Sequence, residues 1–288
     1  MYLRKLFLEG HITFSLEIFP PKPGGDFEPM RAAVREMTAL KPDFISVTYG
    51  AGGGAIGRTV DIAAYVQSQG VPALAHLTCV SSTREAVGHV LDELSGRGVT
   101  NVLALRGDIP DASDFPSPGH YRYASELVSD IRARGGFCVG AACYPEGHVE
   151  SPDRLHDIEF VKRKVDAGCD FLTTQMFFDN NILYRFLYRL LRHDVRVPVL
   201  AGIMPVTNRG QVERIVRLSG TALPPRFLAI LDRFGGDKRA MRQAGAAYAT
   251  EQIIDLIANG VTNIHLYTMN KPDIAAEIMA NLSAILSR

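Results

Sequence analysis

Glu17 lies in Ser15-Leu16-Glu17-Ile18-Phe19, an otherwise apolar run. A carboxyl on such a strand is partly desolvated, which lets it keep a proton near neutrality and makes it a general-acid candidate. The alternative left open by position alone is a glutamate paired with a buried cation for structural reasons. Arg106-Gly107-Asp108 closes another apolar run. There the guanidinium offers a fixed fork of donors, the glycine lets a ligand approach the backbone, and the aspartate sets a negative charge beside whatever binds. A loop salt bridge would also account for the tripeptide, but its place at the end of a run favours a site. His76 and His148 are placed similarly, yet no HxH, HExxH or Cys/His cluster accompanies them, so hydrogen bonding to an organic ligand is expected in preference to a metal. Asp157, Arg163 and Lys164 share one helical stretch, where a solvated face is the default for each alone.

Something must carry these residues to one place. Eight β-like runs, at 12–19, 43–49, 71–78, 101–106, 137–143, 171–176, 197–204 and 263–268, end in polar or aromatic residues, and helical stretches follow most of them. Strands alternating with helices imply a parallel sheet, and eight such units close a (β/α)8 barrel of the TIM type. All eight carboxyl ends then open on the face where such barrels do chemistry. The seventh unit is irregular: a short helical insertion around 224–236, opened by Pro224-Pro225, precedes the helix 238–259 and strand eight. A C-terminal helix is expected over 274–286, and residues 1–288 are read as one barrel domain. The glycine-rich run 50–57 lacks a GK[ST] ending and the dinucleotide fingerprint, so it is read as a flexible lid.

Bulk properties narrow the classes. With 47% hydrophobic residues the chain can bury one large core, and 31 basic residues against 31 acidic ones leave no excess for nucleic acid or an anionic membrane. No signal-peptide pattern opens the chain, no apolar stretch approaches bilayer length, and Cys79, Cys138, Cys143 and Cys169 show no CxxC pairing. A cytoplasmic protein with reduced thiols is expected.

In order, Ser15-Leu16-Glu17-Ile18-Phe19-Pro20-Pro21, Ser46-Val47-Thr48-Tyr49-Gly50-Ala51, His76-Leu77-Thr78-Cys79, Ala104-Leu105-Arg106-Gly107-Asp108, Tyr144-Pro145-Glu146 with His148, 162–168, 174–179 and His265-Leu266-Tyr267-Thr268-Met269-Asn270 strongly resemble bacterial 5,10-methylenetetrahydrofolate reductases. The resemblance spans nearly the whole chain. It implies an FAD enzyme that passes a hydride from a reduced nicotinamide to the folate. Thr48, Tyr49, Ala51, His76, Arg106, Gly107, Asp108, Tyr123, Tyr144 and His148 would then contact FAD, and Asp157, Arg163 and Lys164 its ribose and diphosphate. Glu17 would be the general acid, Gln175 would meet both folate and nicotinamide, and Tyr267 and Lys271 would meet the folate. Homo-oligomers are implied too. Two positions depart from the family: Arg209 replaces an aromatic that packs on nicotinamide or folate, and Phe160 stands at a polar flavin contact of some members.

The implied cycle is ping-pong. Reduced nicotinamide reduces the flavin and leaves, then methylenetetrahydrofolate opens its five-membered ring with a proton from Glu17 and accepts the hydride. Asp108, a fixed negative charge near the flavin, would tune its potential. Other readings are the same reduction fed by an electron-donor protein, another flavin barrel of the proline-dehydrogenase kind, a flavin-free folate-binding module of a methyltransfer system, or a non-catalytic subunit.

Overall fold

A computed structural model describes residues 1–8, 11–21, 25–49, 56–80, 82–109 and 120–286. Eight strands, β1 Thr13–Ile18, β2 Phe44–Val47, β3 Ala73–Thr78, β4 Asn101–Leu105, β5 Cys138–Cys143, β6 Phe171–Thr174, β7 Val199–Ile203 and β8 Asn263–Tyr267, pair in parallel and in sequence order. β8 returns to β1 with Glu17 opposite Tyr267, closing the expected barrel. Each strand is a short apolar run because both its faces are covered: side chains alternate between the barrel interior and the surrounding helices.

The helices are α1 Arg4–Leu8, α2 Glu28–Ala39, α3 Ile56–Ser68, α4 Arg84–Gly96, α5 Ala124–Arg134, α6 Arg154–Asp166, α7 Asn180–Arg192, α8 Arg209–Ser219, α9 Pro225–Phe234, α10 Lys238–Ala258, α11 Pro272–Asn281 and α12 Ser283–Leu286. Several begin on residues whose side chains accept the first free amide hydrogens: Asp153 for α6, Asp179 for α7, Asn208 for α8 and Asp237 for α10. The C-terminal helix expected over 274–286 is two pieces, α11 and α12, broken at Leu282.

Two features position the open face. At the amino ends of the strands, Leu3, just before α1, and Leu6 within it pack against Phe44, Leu74, Leu103, Cys138, Phe171 and Leu200. Asn101 fixes it there, accepting from the Leu3 amide at 2.9 Å and donating to the Met1 carbonyl at 3.1 Å. Burying a leucine contributes roughly 1.5–3 kcal/mol, so this short helix is held by what it covers. At the opposite end the expected insertion is α9. Phe227 stacks on Phe178 at 4.8 Å, and both join Met204, Val206 and Met241 in a satellite core beneath the loops after β6 and β7. Gly245 of α10 lets that helix approach closely, since a Cβ there would overlap the Val206 carbonyl.

Candidate active site

Ser15 and Glu17, two residues apart on β1, both face the barrel interior. Glu17 is 16% exposed, and its Oε2 lies 3.3 Å from Nε2 of His265 and 3.4 Å from Nε2 of His76. Ser15 Oγ donates to the Ile264 carbonyl at 3.1 Å, so toward His265 Nδ1, 2.8 Å away, it accepts. A neutral His265 then holds its hydrogen on Nδ1 and turns a lone pair from Nε2 toward Glu17. The contact is attractive only when one proton lies between carboxyl and ring, on either partner. The partly buried carboxyl expected from sequence thus has two imidazole neighbours and, among the described residues, no Lys or Arg partner.

His76 completes this cluster. Its Nε2 is 2.6 Å from Ser46 Oγ, and burial, only partly opposed by Glu17, lowers its pKa to about 4, so the ring is neutral at pH 7. Tyr267, opposite Glu17 on β8, donates its hydroxyl to the Thr174 carbonyl on β6 at 2.6 Å. Burial raises its pKa well above the usual 10. The phenol reaches past β7 because residue 202 is glycine: a Cβ there would sit 2.5 Å from the Thr174 carbonyl oxygen and 2.6 Å from Tyr267 Cε2.

A second cluster lies at the ends of β4 and β5. Arg106 pairs bidentately with Glu150 at 2.6 and 2.7 Å, which raises the arginine's pKa and lowers the glutamate's. Gly107 adopts φ +88°, a left-handed conformation suited to glycine, and Asp108 is exposed beside it. Tyr144 and His148 meet edge to face at 4.6 Å. Burial pushes the Tyr144 hydroxyl up to about 12 and, with Arg106, pulls His148 down. Asp157, 4% exposed, accepts from the His148 amide and from Ser151 Oγ, both at 3.1 Å. Lys164 is turned inward, donating to the Ala142 carbonyl at 2.5 Å, and burial lowers its pKa. Asp157 and Lys164, expected at the cofactor's ribose and diphosphate, are thus engaged in holding the loop and strand β5. Arg163 has no carboxylate partner among the described residues and lies over the Phe160 ring.

The remaining expected residues line the same rim. Thr48 donates its amide to the Ile18 carbonyl, and Tyr49 hydrogen-bonds Ser82 and Thr78 while burial raises its pKa. Gln175 accepts from the Met176 amide, and Lys271 donates to Thr207 Oγ1 at 2.6 Å, joining the loops after β8 and β7. Tyr123 caps α5. Arg209 opens α8 with its side chain 60% exposed, 3.9 Å from Glu213. Ala51 and most of the glycine-rich run read as a lid lie outside the described residues. Among those residues no group of three or more His, Cys, Asp or Glu could hold a metal ion, and no helix is long and apolar enough to cross a membrane.

Ser15, Ser46, His265 and Glu150 escaped the sequence reading. The signal for the first three was phase: Ser15 is two residues from Glu17, His265 two from Tyr267, and Ser46 two from Thr48.

The methylenetetrahydrofolate reductase family model matches residues 2–283. The chain belongs to the methylenetetrahydrofolate reductase family. It is 32% identical over 276 residues to the 5,10-methylenetetrahydrofolate reductase of Escherichia coli K12, covering 96% of this chain and 92% of that protein. It is 35% identical over 294 residues to methylenetetrahydrofolate reductase (NADH) 1 of Zea mays, but spans only 49% of that relative's length. A solved structure, an uncharacterized protein from Clostridium thermocellum that binds two copies of 5-methyl-5,6,7,8-tetrahydrofolic acid, superposes with a TM-score of 0.71 over 99% of each chain. At 16% identity that likeness speaks to the barrel alone.

Proposed function

We propose that the chain reduces 5,10-methylenetetrahydrofolate to 5-methyltetrahydrofolate, with FAD as resident cofactor and a reduced nicotinamide as electron donor. The observation that carries this reading is Glu17, set at the carboxyl end of β1 with two imidazole nitrogens within 3.4 Å. Ring opening of the folate needs a proton on its departing nitrogen, and Glu17 is the carboxyl placed to supply it. His265, held by Ser15 through Nδ1, turns Nε2 toward the Glu17 carboxyl and positions it.

The donor set suits a flavin dinucleotide. Arg163 presents an uncommitted guanidinium at the rim, the chemistry a diphosphate requires. Tyr144, His148 and the Gly107 backbone flank the barrel mouth, where the ring system would lie. When bound, FAD supplies a two-electron carrier that is reduced by the nicotinamide and in turn reduces the folate. Asp108 contributes a fixed negative charge beside that carrier, and Gln175, Tyr267 and Lys271 orient the folate. The names of the plant relatives support NADH as donor.

Rapid mixing of the Glu17→Gln variant tests the reading. Flavin reduction by the nicotinamide should survive within a small factor, while folate reduction by the reduced enzyme should fall by roughly 10²–10⁴. Equal loss in both half-reactions would make Glu17 structural.

A further inference from the structure

Regular pairing between β1 and β8 ends at Glu17 and Tyr267, yet side chains keep the two segments tied beyond it. Thr268 donates its hydroxyl to the Glu17 carbonyl at 2.6 Å. Asn270 then meets both backbone groups of Phe19: its Oδ1 accepts from the amide at 2.9 Å and its Nδ2 donates to the carbonyl at 2.8 Å. One carboxamide thus serves Phe19 as a neighbouring strand would, and the two bonds fix which end of it points where. Phe19 is the last backbone donor of this segment, because Pro20 and Pro21 follow and carry no amide hydrogen. Reaching it takes an unusual turn. Met269 and Asn270 lie at φ +53° and +54°, a left-handed pair with no glycine in it. Asparagine tolerates that region better than most residues and methionine does not; such strain persists where the surroundings hold it, and it gathers at functional sites.

We propose that Asn270 is a positioning residue for folate reduction: by clamping the Phe19 backbone it holds the end of β1, and with it the Glu17 carboxyl, in place beside His76 and His265. The inference rests on the folate reading above and adds to it a residue whose own polar atoms are taken up by main chain. Glu17 is two residues from Phe19, and a strand carries its side chains wherever its backbone goes. An end left loose would therefore shift the carboxyl against imidazoles that are anchored separately, His265 by Ser15 and His76 by Ser46. The other ties on this segment fall short of Phe19: Thr268 meets the Glu17 carbonyl, and the Thr48 amide meets the Ile18 carbonyl at 2.9 Å. The residue after the turn is Lys271, which donates to Thr207 Oγ1 at 2.6 Å. The same two left-handed residues thus set both the carboxyl on β1 and the cation that joins the loops after β8 and β7.

Asn270→Gly isolates the clamp, since glycine takes the left-handed turn without strain and brings no carboxamide. Its urea unfolding midpoint should stay close to that of wild type. In rapid mixing, flavin reduction by the nicotinamide should be unmoved, whereas folate reduction by pre-reduced enzyme should fall about tenfold, as expected of a proton donor displaced by less than an ångström. Asn270→Asp, which keeps an acceptor for the Phe19 amide but loses the donor for its carbonyl, should show the same split between half-reactions and decides the matter by the same comparisons. In the Glu17→Gln background Asn270→Gly should slow folate reduction no further, because the group it positions is already gone. Wild-type rates in both Asn270 variants, equal losses in the two half-reactions, or a tenfold loss that persists in the Glu17→Gln background would overturn the positioning role and leave the folate reading standing. Reduced wild-type enzyme that fails to reduce methylenetetrahydrofolate would overturn that reading, and the positioning role with it.

Discussion

The buried imidazole of His76 makes a quantitative demand on stability. Its pKa falls from 6.5 to about 4 on folding, chiefly because burial disfavours the charged ring. Above pH 6.5 both folded and unfolded chains hold it neutral, and it contributes no pH dependence. Between 6.5 and about 4 the unfolded chain takes up a proton that the folded one refuses, so stability drops as the solution is acidified. Below about 4 the folded ring is protonated as well and the difference stops growing. At ~1.36 kcal/mol per pH unit, the loss attributable to this residue reaches about 2 kcal/mol by pH 5 and about 3 kcal/mol by pH 4. His76→Gln removes the titration while keeping a group able to meet Ser46. Urea unfolding followed by circular dichroism at steps from pH 7.5 to 5 should give the variant a shallower decline, by about 2 kcal/mol, than wild type. Parallel declines would refute the argument, because they would mean that His76 takes its proton as readily in the fold as outside it.

Other substitutions probe other links. Gly202→Ala should cost about 1–3 kcal/mol by overpacking against the Thr174 carbonyl and Tyr267, measurable by the same unfolding assay; an unchanged midpoint would show that β6 and β8 move apart freely. Asp108→Asn should leave FAD bound and raise the flavin's reduction potential, since the anionic reduced form loses a repelling neighbour. A potential that stays put rejects the tuning role. Arg209→Phe should weaken the salt dependence of nicotinamide binding while sparing folate reduction by pre-reduced enzyme; a donor affinity with the same salt dependence in both proteins would leave Arg209 a solvated side chain.

The barrel was legible because its strands are buried on both faces and so read as short apolar runs, each stopped by a polar or aromatic residue where the chain reaches the open face. Glu17, His76 and Tyr267 were visible for that reason, and the structure gathers them. His265 was hidden by the same logic: inside β8 it sits between apolar neighbours, and only its two-residue spacing from Tyr267 shows that it points inward. The inward turn of Lys164 was not legible, since a lysine on an amphipathic helix normally seeks water, whereas here the Ala142 carbonyl takes its ammonium inside. The helix α1 has five residues, too few for a periodic pattern, and the buried Leu3 before it and Leu6 within it carry meaning only beside the barrel floor they cover. Arg106 was read as a ligand donor with Asp108 as its neighbour. Its actual fork partner, Glu150, is 44 residues away, and no local pattern predicts that.

The passage of the Tyr267 phenol over Gly202 also fixes the order in which this part of the barrel can change over generations. A side chain at 202 meets two obstacles, one of which, the tyrosine, belongs to a replaceable residue, and the other of which, the Thr174 carbonyl, is main chain that every amino acid supplies. A lineage could therefore trade the tyrosine for a smaller residue and keep the glycine, but the reverse order is closed. Even after the tyrosine is gone, position 202 stays restricted until the spacing of β6 and β7 changes. The glycine is accordingly the slowest of the three positions to drift, although it carries no functional group.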